Sequence, residues 1–368
     1  MTGDRNNAES LDRCAVVVPA LNPSDKLTSF ICELSELGFK NIIVINDGSD
    51  FKFSHVFRDL EQSGHCIVLT HDRNMGKGAA LKTAFEYFLR NFGGKDMCGV
   101  ITADADGQHL PDDVLSVANA LCSSTNSIIM GSRNFRQDNV PQRSRLGNTF
   151  ISKAFRWLYG VSLSDTQTGL RGIPLPLIEK AESIYGSRYE YEINVLILAK
   201  KQGIKFVEVP ISTIYFDNNE SSHYHPFSDS MRILWVLFAG LLRYFYASII
   251  SSIVDVGLFI VLNYWVFALL STEVRLFWAT AIARVASSAV NFVLNKKTFA
   301  GTQPHPRTQL IRYYILWIIQ LLAAYLMVYG LSFIIPSDAV SKLVTDNLLA
   351  LFSYQIQLRW VYYAEPAE

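Results

Sequence analysis

The sequence predicts an α/β domain with a mostly parallel, Rossmann-like sheet, followed by an all-α membrane domain of four transmembrane helices. Three observations carry this expectation. Short Val/Ile runs alternate with helix-spaced segments through the first half of the chain, as in βα units whose sheet is covered on both faces. From Met231 onward, long apolar runs dominate. Two carboxylates, Asp104 and Asp106, stand directly after one of the apolar runs, the place where open α/β sheets bind ligands.

The elements come in order along the chain. Ala15-Val16-Val17-Val18 is a first strand ended by Pro19. Leu27 to Leu37 carries apolar side chains at helical spacing and stops at Gly38, a typical helix end. Asn41 to Ile45 and Cys66 to Thr70 are the second and third strands, and Gly78 to Phe92 is a helix. Gly99 to Thr102 is a fourth strand leading into the two aspartates, and Ser127 to Met130 is a fifth.

A chain of 368 residues exceeds one typical domain. Its 33 basic and 33 acidic side chains cancel, so nothing points to nucleic acid as a partner. Met1 to Arg13 is polar and has no apolar signal segment, so the first half is expected in the cytoplasm. The cysteines Cys14, Cys32, Cys66, Cys98 and Cys122 form no C-x-x-C pair and read as reduced thiols. The expected division is residues 1–225 as the α/β domain, 226–243 as an interfacial juxtamembrane helix and 244–368 as the membrane domain.

In the interfacial segment Met231, Leu234, Trp235, Leu237, Phe238 and Leu241 are apolar, while Ser230, Arg232 and Arg243 reach headgroups. Four spans come after it, near 246–267, 276–294, 313–335 and 342–362, each close to the ~20 residues needed to cross hydrocarbon. Lys296, Lys297, Arg307 and Arg312 fall between spans two and three, whereas Pro336-Ser337-Asp338 has no positive charge. The basic loop is therefore expected inside, with both termini. A weak repeat relates Arg243-Tyr244 to Arg312-Tyr313, and Lys296-Lys297-Thr298-Phe299 to Arg359-Trp360-Val361-Tyr362. Asp255 and Arg284 lie within spans one and two. At ~1.5 Å per residue their depths differ by about 5 Å, so they are expected to pair; Asp346 is the alternative partner.

The chemistry-bearing residues cluster after strands. Asp104 and Asp106 are two positions apart, so an extended backbone turns both the same way. Carboxylates suit Mg²⁺ or Mn²⁺, although a solvated turn has the same pattern. Asn46-Asp47-Gly48-Ser49 is a turn sequence whose Asp47 accepts N–H or O–H donors. Lys77 stands between Gly76 and Gly78, where phosphates can approach.

These motifs resemble family 2 glycosyltransferases of the GT-A fold, in the polyprenyl-phosphate branch that includes dolichol-phosphate mannose synthase. The matches occur in order: Val18-Pro19-Ala20-Leu21-Asn22, Val44 to Asp50, Asn74 to Ala79, Asp104-Ala105-Asp106-Gly107-Gln108-His109, Gly131-Ser132-Arg133 and Asp165 to Arg171. The resemblance implies that Pro19, Ala20, Asn22, Asp47, Lys77 and Asp104 bind the nucleotide-sugar. It implies a metal held by Asp104, Asp106 and Gln108, with His109 a structural neighbour. It implies an acceptor phosphate bound by Arg133, Arg143, Ser144, Arg145 and Arg171, since guanidinium forks bind phosphate oxygens in pairs. Asp104, Asp106 and Arg133 are then the catalytic set.

The sequence departs from the mannose synthases at Pro23, where an acidic residue is common, and at Ser222-His223 in place of Ser-Lys. His223 is the candidate substitute on the donor phosphate, and with His225 an alternative metal pair. The departures are more like bacterial lipid-carrier glucosyltransferases. Asn291-Phe292 and Asn295-Lys296 add similarity to GtrA-like membrane domains.

The expected activity is metal-dependent, inverting transfer of a sugar from a nucleotide-sugar, UDP-glucose favoured, to polyprenyl (undecaprenyl) phosphate at the cytoplasmic face of the membrane. A homo-oligomer is compatible with the sequence. Three alternatives stand beside this. They are mannose transfer from GDP-mannose, a processive polysaccharide synthase, and a lipid-sugar flippase with a degenerate transferase domain. Gln357-Leu358-Arg359-Trp360 has the wrong spacing for the synthase signature.

Overall fold

The computed structural model describes residues 10–93, 96–124, 126–133, 142–212, 226–299, 306–335 and 337–362. The chain divides into two compact units: chiefly Met1–Arg156 with Val161–Leu237, and Trp157–Gly160 with Phe238–Glu365.

The first unit is a seven-stranded mixed sheet in the order β3-β2-β1-β4-β6-β5-β7. Its strands are β1 (Cys14–Ala20), β2 (Ile42–Asn46), β3 (Ile67–Thr70), β4 (Gly99–Thr102), β5 (Ser127–Arg133), β6 (Arg171–Pro174) and β7 (Lys205–Ile211). All neighbours pair in parallel except β6, which runs antiparallel between β4 and β5. The five strands read from the sequence are present. β6 and β7 were not expected, because one is four residues long with a glycine and a proline, and the other contains Pro210. Pro210 is tolerated because β7 is the edge strand.

The helices α1 (Lys26–Leu37), α2 (Ser54–Ser63), α3 (Lys77–Phe92), α4 (Pro111–Ser123), α5 (Gln142–Tyr159), α6 (Leu175–Ala181) and α7 (Glu190–Lys201) connect the strands. α1 ends at Gly38, whose φ of +107° lets its N–H reach back to Leu34 and Ser35. Val16, Val18, Val44 and Ile101 of the sheet pack with Leu27, Ile31 and Leu34 of α1 and Val114 and Val117 of α4. Burying a side chain of this kind contributes about 1.5–3 kcal/mol, which fixes the strands that carry the site.

The cysteines differ from expectation. Cys98 and Cys122 form a disulfide, and Cys14 Sγ lies 3.5 Å from Cys122 Sγ. The pair joins the start of β4 to the end of α4, 24 residues apart, a spacing that carries no local signature. Burial pushes the Cys14 thiol up to about 12.

The second unit is helical: most of α8 (Pro226–Val261), then α9 (Thr272–Phe299), α10 (Pro306–Ser332) and α11 (Asp338–Ile356). α8 and α11 each end in a wider π-helical turn, Leu262–Val266 and Gln357–Val361. Residues 226–243 are the opening turns of α8, continuous with the apolar remainder of that helix. Among the described residues, three helices are long and apolar enough to cross a membrane: Ser228–Val266, Thr272–Phe299 and Arg307–Leu331. The fourth expected span is the helix α11, whose first half carries Asp338, Lys342 and Asp346.

Phe299 and Tyr362, which hold equivalent places in the sequence repeat, stack with centroids 5.4 Å apart. Tyr313 Oη donates to Asn291 Oδ1 at 3.0 Å, and Tyr244 meets Tyr354 edge-on. Asp255 Oδ2 lies 3.5 Å from Arg284 Nη1, and Ser287 Oγ donates to Asp255 Oδ1 at 3.0 Å.

Candidate active site

β1, β2, β3, β4 and β5 all end on one edge of the sheet, and antiparallel β6 begins there. The register places Ala20 beside Asn46, Asn46 beside Thr70, and Arg171 beside both Thr102 and Met130. Pro19, Ala20, Asn22, Asp47, Lys77, Asp104, Arg133 and Arg171 are thereby gathered at one edge.

At the end of β1, Asn22 takes a φ of +48°, a conformation that asparagine tolerates better than most residues. Its N–H donates to Ser49 Oγ at 2.9 Å, and its Oδ1 accepts from the Asp50 N–H at 2.8 Å. The loops after β1 and β2 are thus tied together.

Asp47 is 3 % exposed. Its oxygens accept from the Met75 and Gly76 N–H groups at 2.9 and 2.8 Å, and His71 Nδ1 stands 2.7 Å away. These three groups meet the carboxylate that the resemblance implied for the nucleotide. The carboxylate is directed inward, because the loop that delivers Lys77 needs acceptors for its backbone donors.

Lys77 opens α3. Its Nζ lies 2.6 Å from Asp104 Oδ1 and 3.2 Å from Glu192 Oε1. Glu192, in the first turn of α7, was not singled out in the sequence. Within Tyr189-Glu190-Tyr191-Glu192 it reads as one charge of an ordinary helix start. Its carboxylate is also 3.7 Å from Arg171 Nη2.

Burial by itself would raise the Asp104 carboxyl, but the Lys77 ammonium and the adjacent His109 ring outweigh it and hold the group well below the usual carboxylate range. Asp106 is pushed up by burial and by the charge on Asp104. Its Oδ1 accepts from the Gln108 N–H at 3.0 Å. His109 is 5 % exposed with neither ring nitrogen hydrogen-bonded, and its Nε2 stands 3.7 Å from Asp104 Oδ2.

This donor set fits a hard divalent cation. Asp104 and Asp106 bring carboxylate oxygens to this strand end, the ligand type that suits a Mg²⁺ also taking substrate phosphate oxygens. Among the described residues the only closed group of three metal-type side chains is Cys14, Cys98 and Cys122, which lies at the other end of the strands.

The segment Asp165 to Arg171 lies against Arg133 and Thr102. Asp165 is fully buried and accepts from Arg133 Nε at 2.6 Å and Nη2 at 3.1 Å. The Thr102 hydroxyl donates to the Gly169 carbonyl at 2.8 Å. A Cβ on Gly169 would stand 2.1 Å from Asp104 Oδ2, so only glycine lets this loop rest against the carboxylate.

Arg171, implied by the resemblance for the acceptor phosphate, is turned inward. It is 2 % exposed, and its guanidinium donates to the carbonyls of Thr168, Glu192 and Thr166 at 2.8, 2.9 and 3.1 Å. Arg171 braces the loop and Glu192. Asp165 pairs with Arg133.

Arg145 lies in the first turns of α5. The side chains of Arg143 and Ser144, and the whole of His223 and His225, lie outside the described residues.

The site's family is visible in comparison. The family described as Glycosyl transferase family 2 matches residues 15–172, and the GtrA/DPMS transmembrane domain matches residues 243–362. An uncharacterized protein of Methanocaldococcus jannaschii is 35 % identical over 222 residues, covering 58 % of this chain and 87 % of its own. The UDP-N-acetylglucosamine–dolichyl-phosphate N-acetylglucosaminyltransferase of Methanococcus voltae is 30 % identical, covering 54 % of this chain and 85 % of its own. The polyprenol monophosphomannose synthase of Mycolicibacterium smegmatis is 25 % identical, covering 54 % and 77 %. The chain belongs to family 2 of the glycosyltransferases, with a GtrA/DPMS-type transmembrane domain after its transferase domain in one polypeptide.

Proposed function

We propose that the protein transfers a sugar from a nucleotide-sugar to a polyprenyl-type lipid phosphate at the cytoplasmic face of a membrane. One observation carries this: a family 2 transferase domain and membrane helices share one chain, and two relatives so named use dolichyl or polyprenol acceptors.

The chemistry needs little more than positioning. A lipid phosphate is anionic at neutral pH, so its oxygen attacks the anomeric carbon without first losing a proton. The new C–O bond forms as the bond to the nucleoside diphosphate breaks, the diphosphate leaves with the electron pair, and the anomeric centre inverts. Asp104, Asp106 and Gln108 would hold Mg²⁺ or Mn²⁺, which when bound neutralises charge on the diphosphate. Arg133, aimed by Asp165, meets the acceptor phosphate, with Arg145 and Arg143 as further cations. Lys77 faces the donor phosphates.

UDP-glucose is the donor favoured by the departures at Pro23 and His223. UDP-N-acetylglucosamine is the second reading, supported by the identity with the Methanococcus voltae enzyme. The test supplies the detergent-solubilised chain with Mn²⁺, short-chain polyprenyl phosphate and labelled UDP-glucose, UDP-N-acetylglucosamine or GDP-mannose. Labelled lipid with one donor, lost in a folded Asp106→Ala variant, is the expected result. Polymer without labelled lipid would overturn the proposal in favour of a processive synthase.

A further inference from the structure

Lys77 sits where the site most needs a positive charge. Asp104 and Asp106 are two positions apart in a half-buried setting, and two carboxylates there repel each other unless a cation lies between or beside them. The Lys77 ammonium supplies that charge, 2.6 Å from Asp104 Oδ1. It does so from a second anchor, Glu192 at 3.2 Å, with the Tyr189 ring centroid 5.7 Å away.

Glu192 is held in turn. Arg171 donates to its carbonyl and faces its carboxylate, so this anchor is braced independently of Lys77. Burial opposes charge on Lys77, yet the carboxylates of Asp104 and Glu192 more than compensate and keep it an ammonium. His109, buried and without a hydrogen-bond partner, points a ring nitrogen at the same Asp104 carboxylate.

A divalent cation on Asp104 and a lysine ammonium on the same oxygen repel. One must yield when the other arrives, and the long lysine stem allows it to be the lysine. A bound diphosphate offers the displaced ammonium a new acceptor within reach of Glu192.

We infer that Lys77 is a resident stand-in for the divalent cation: it occupies Asp104 while the site is empty, and moves onto the diphosphate, still tethered by Glu192, when cation and nucleotide bind. This rests on the proposed reading that Asp104 and Asp106 hold the cation. Lys77 therefore opposes the bare cation and favours the cation–nucleotide complex.

That reversal of sign is the test. Mn²⁺ binding to the solubilised full chain is followed by electron paramagnetic resonance, with and without UDP. Lys77→Met and Lys77→Gln are compared with Lys82→Met, which removes an equal charge from the same helix at a lysine lying over the Tyr191 ring. Without UDP, both Lys77 variants should bind Mn²⁺ about tenfold tighter than wild type and Lys82→Met. With UDP present, both should bind Mn²⁺ and nucleotide about tenfold more weakly.

A second readout needs no variant. Mn²⁺ alone should raise acetylation of Lys77 relative to Lys82 in the unaltered chain, and Mn²⁺ with UDP should suppress it. Lys77 variants that track Lys82→Met, or labelling that ignores Mn²⁺, overturn the inference alone. Mn²⁺ binding that survives Asp104→Asn/Asp106→Asn overturns the cation site itself, and the inference with it.

Discussion

Asp165 shows how a fully buried residue governs a partly buried one. Its carboxylate holds two nitrogens of Arg133 and also accepts from the Gln167 N–H at 3.0 Å. Asp165→Ala leaves a guanidinium and a backbone donor without that partner, and should cost roughly 2–4 kcal/mol, read as a fall in Tm. Asp165→Asn keeps the shape and should cost less. Gly169→Ala acts differently, since its methyl would displace the Asp104 carboxylate. Transferase activity should drop roughly a hundredfold while the circular dichroism spectrum is kept. The placing of Asp104, Asp106 and Arg133 at strand ends was legible because each belongs to a local motif that closes a strand. Glu192 and the inward-facing Asp47 were not, since their partners are 115 and 28 or 29 positions away.

At the scale of elements, local periodicity identified the apolar strands and the amphipathic helices, because each is written in contiguous residues. β6 and β7 escaped it: they are strands by virtue of their neighbours, with Gly172, Pro174 and Pro210 weakening any local signal. The Asp255–Arg284 pair was reached from depth alone, since two helices of known rise leave only rotation undecided. The pair is asymmetric, with Arg284 62 % and Asp255 18 % exposed at the side chain. In the membrane-spanning helices, Asp255→Arg and Arg284→Asp should each lower the yield of folded, detergent-extracted protein. The charge-swapped double variant should recover most of that yield. A double variant no better than either single one would mean that the two side chains do not depend on each other.

For the whole molecule, charge placement predicts topology. Lys296, Lys297, Arg307 and Arg312 flank the connection from α9 to α10, and the connection from α10 to α11 has no basic residue between Pro336 and Asp338. A protease site inserted between Pro304 and His305 should be cut only from the cytoplasmic side, and one inserted at Ser337 only from the opposite side. Cleavage of both from one side would break the assigned orientation.

The first five strands, the strand ends that hold the candidate motifs and the apolar segments were determined by the sequence itself. Each depends on patterns within one or two dozen residues, where backbone geometry alone relates spacing to direction. The tertiary structure decided which charges meet. Inserting antiparallel β6 between β4 and β5 carries residues 165–171 to the strand ends. There Asp165 takes Arg133, Gly169 rests on Asp104, and Arg171 turns inward to brace Glu192 beside Lys77. No local pattern contains these pairings, because electrostatic partners are chosen by distance in space and by burial, and both are properties of the folded sheet.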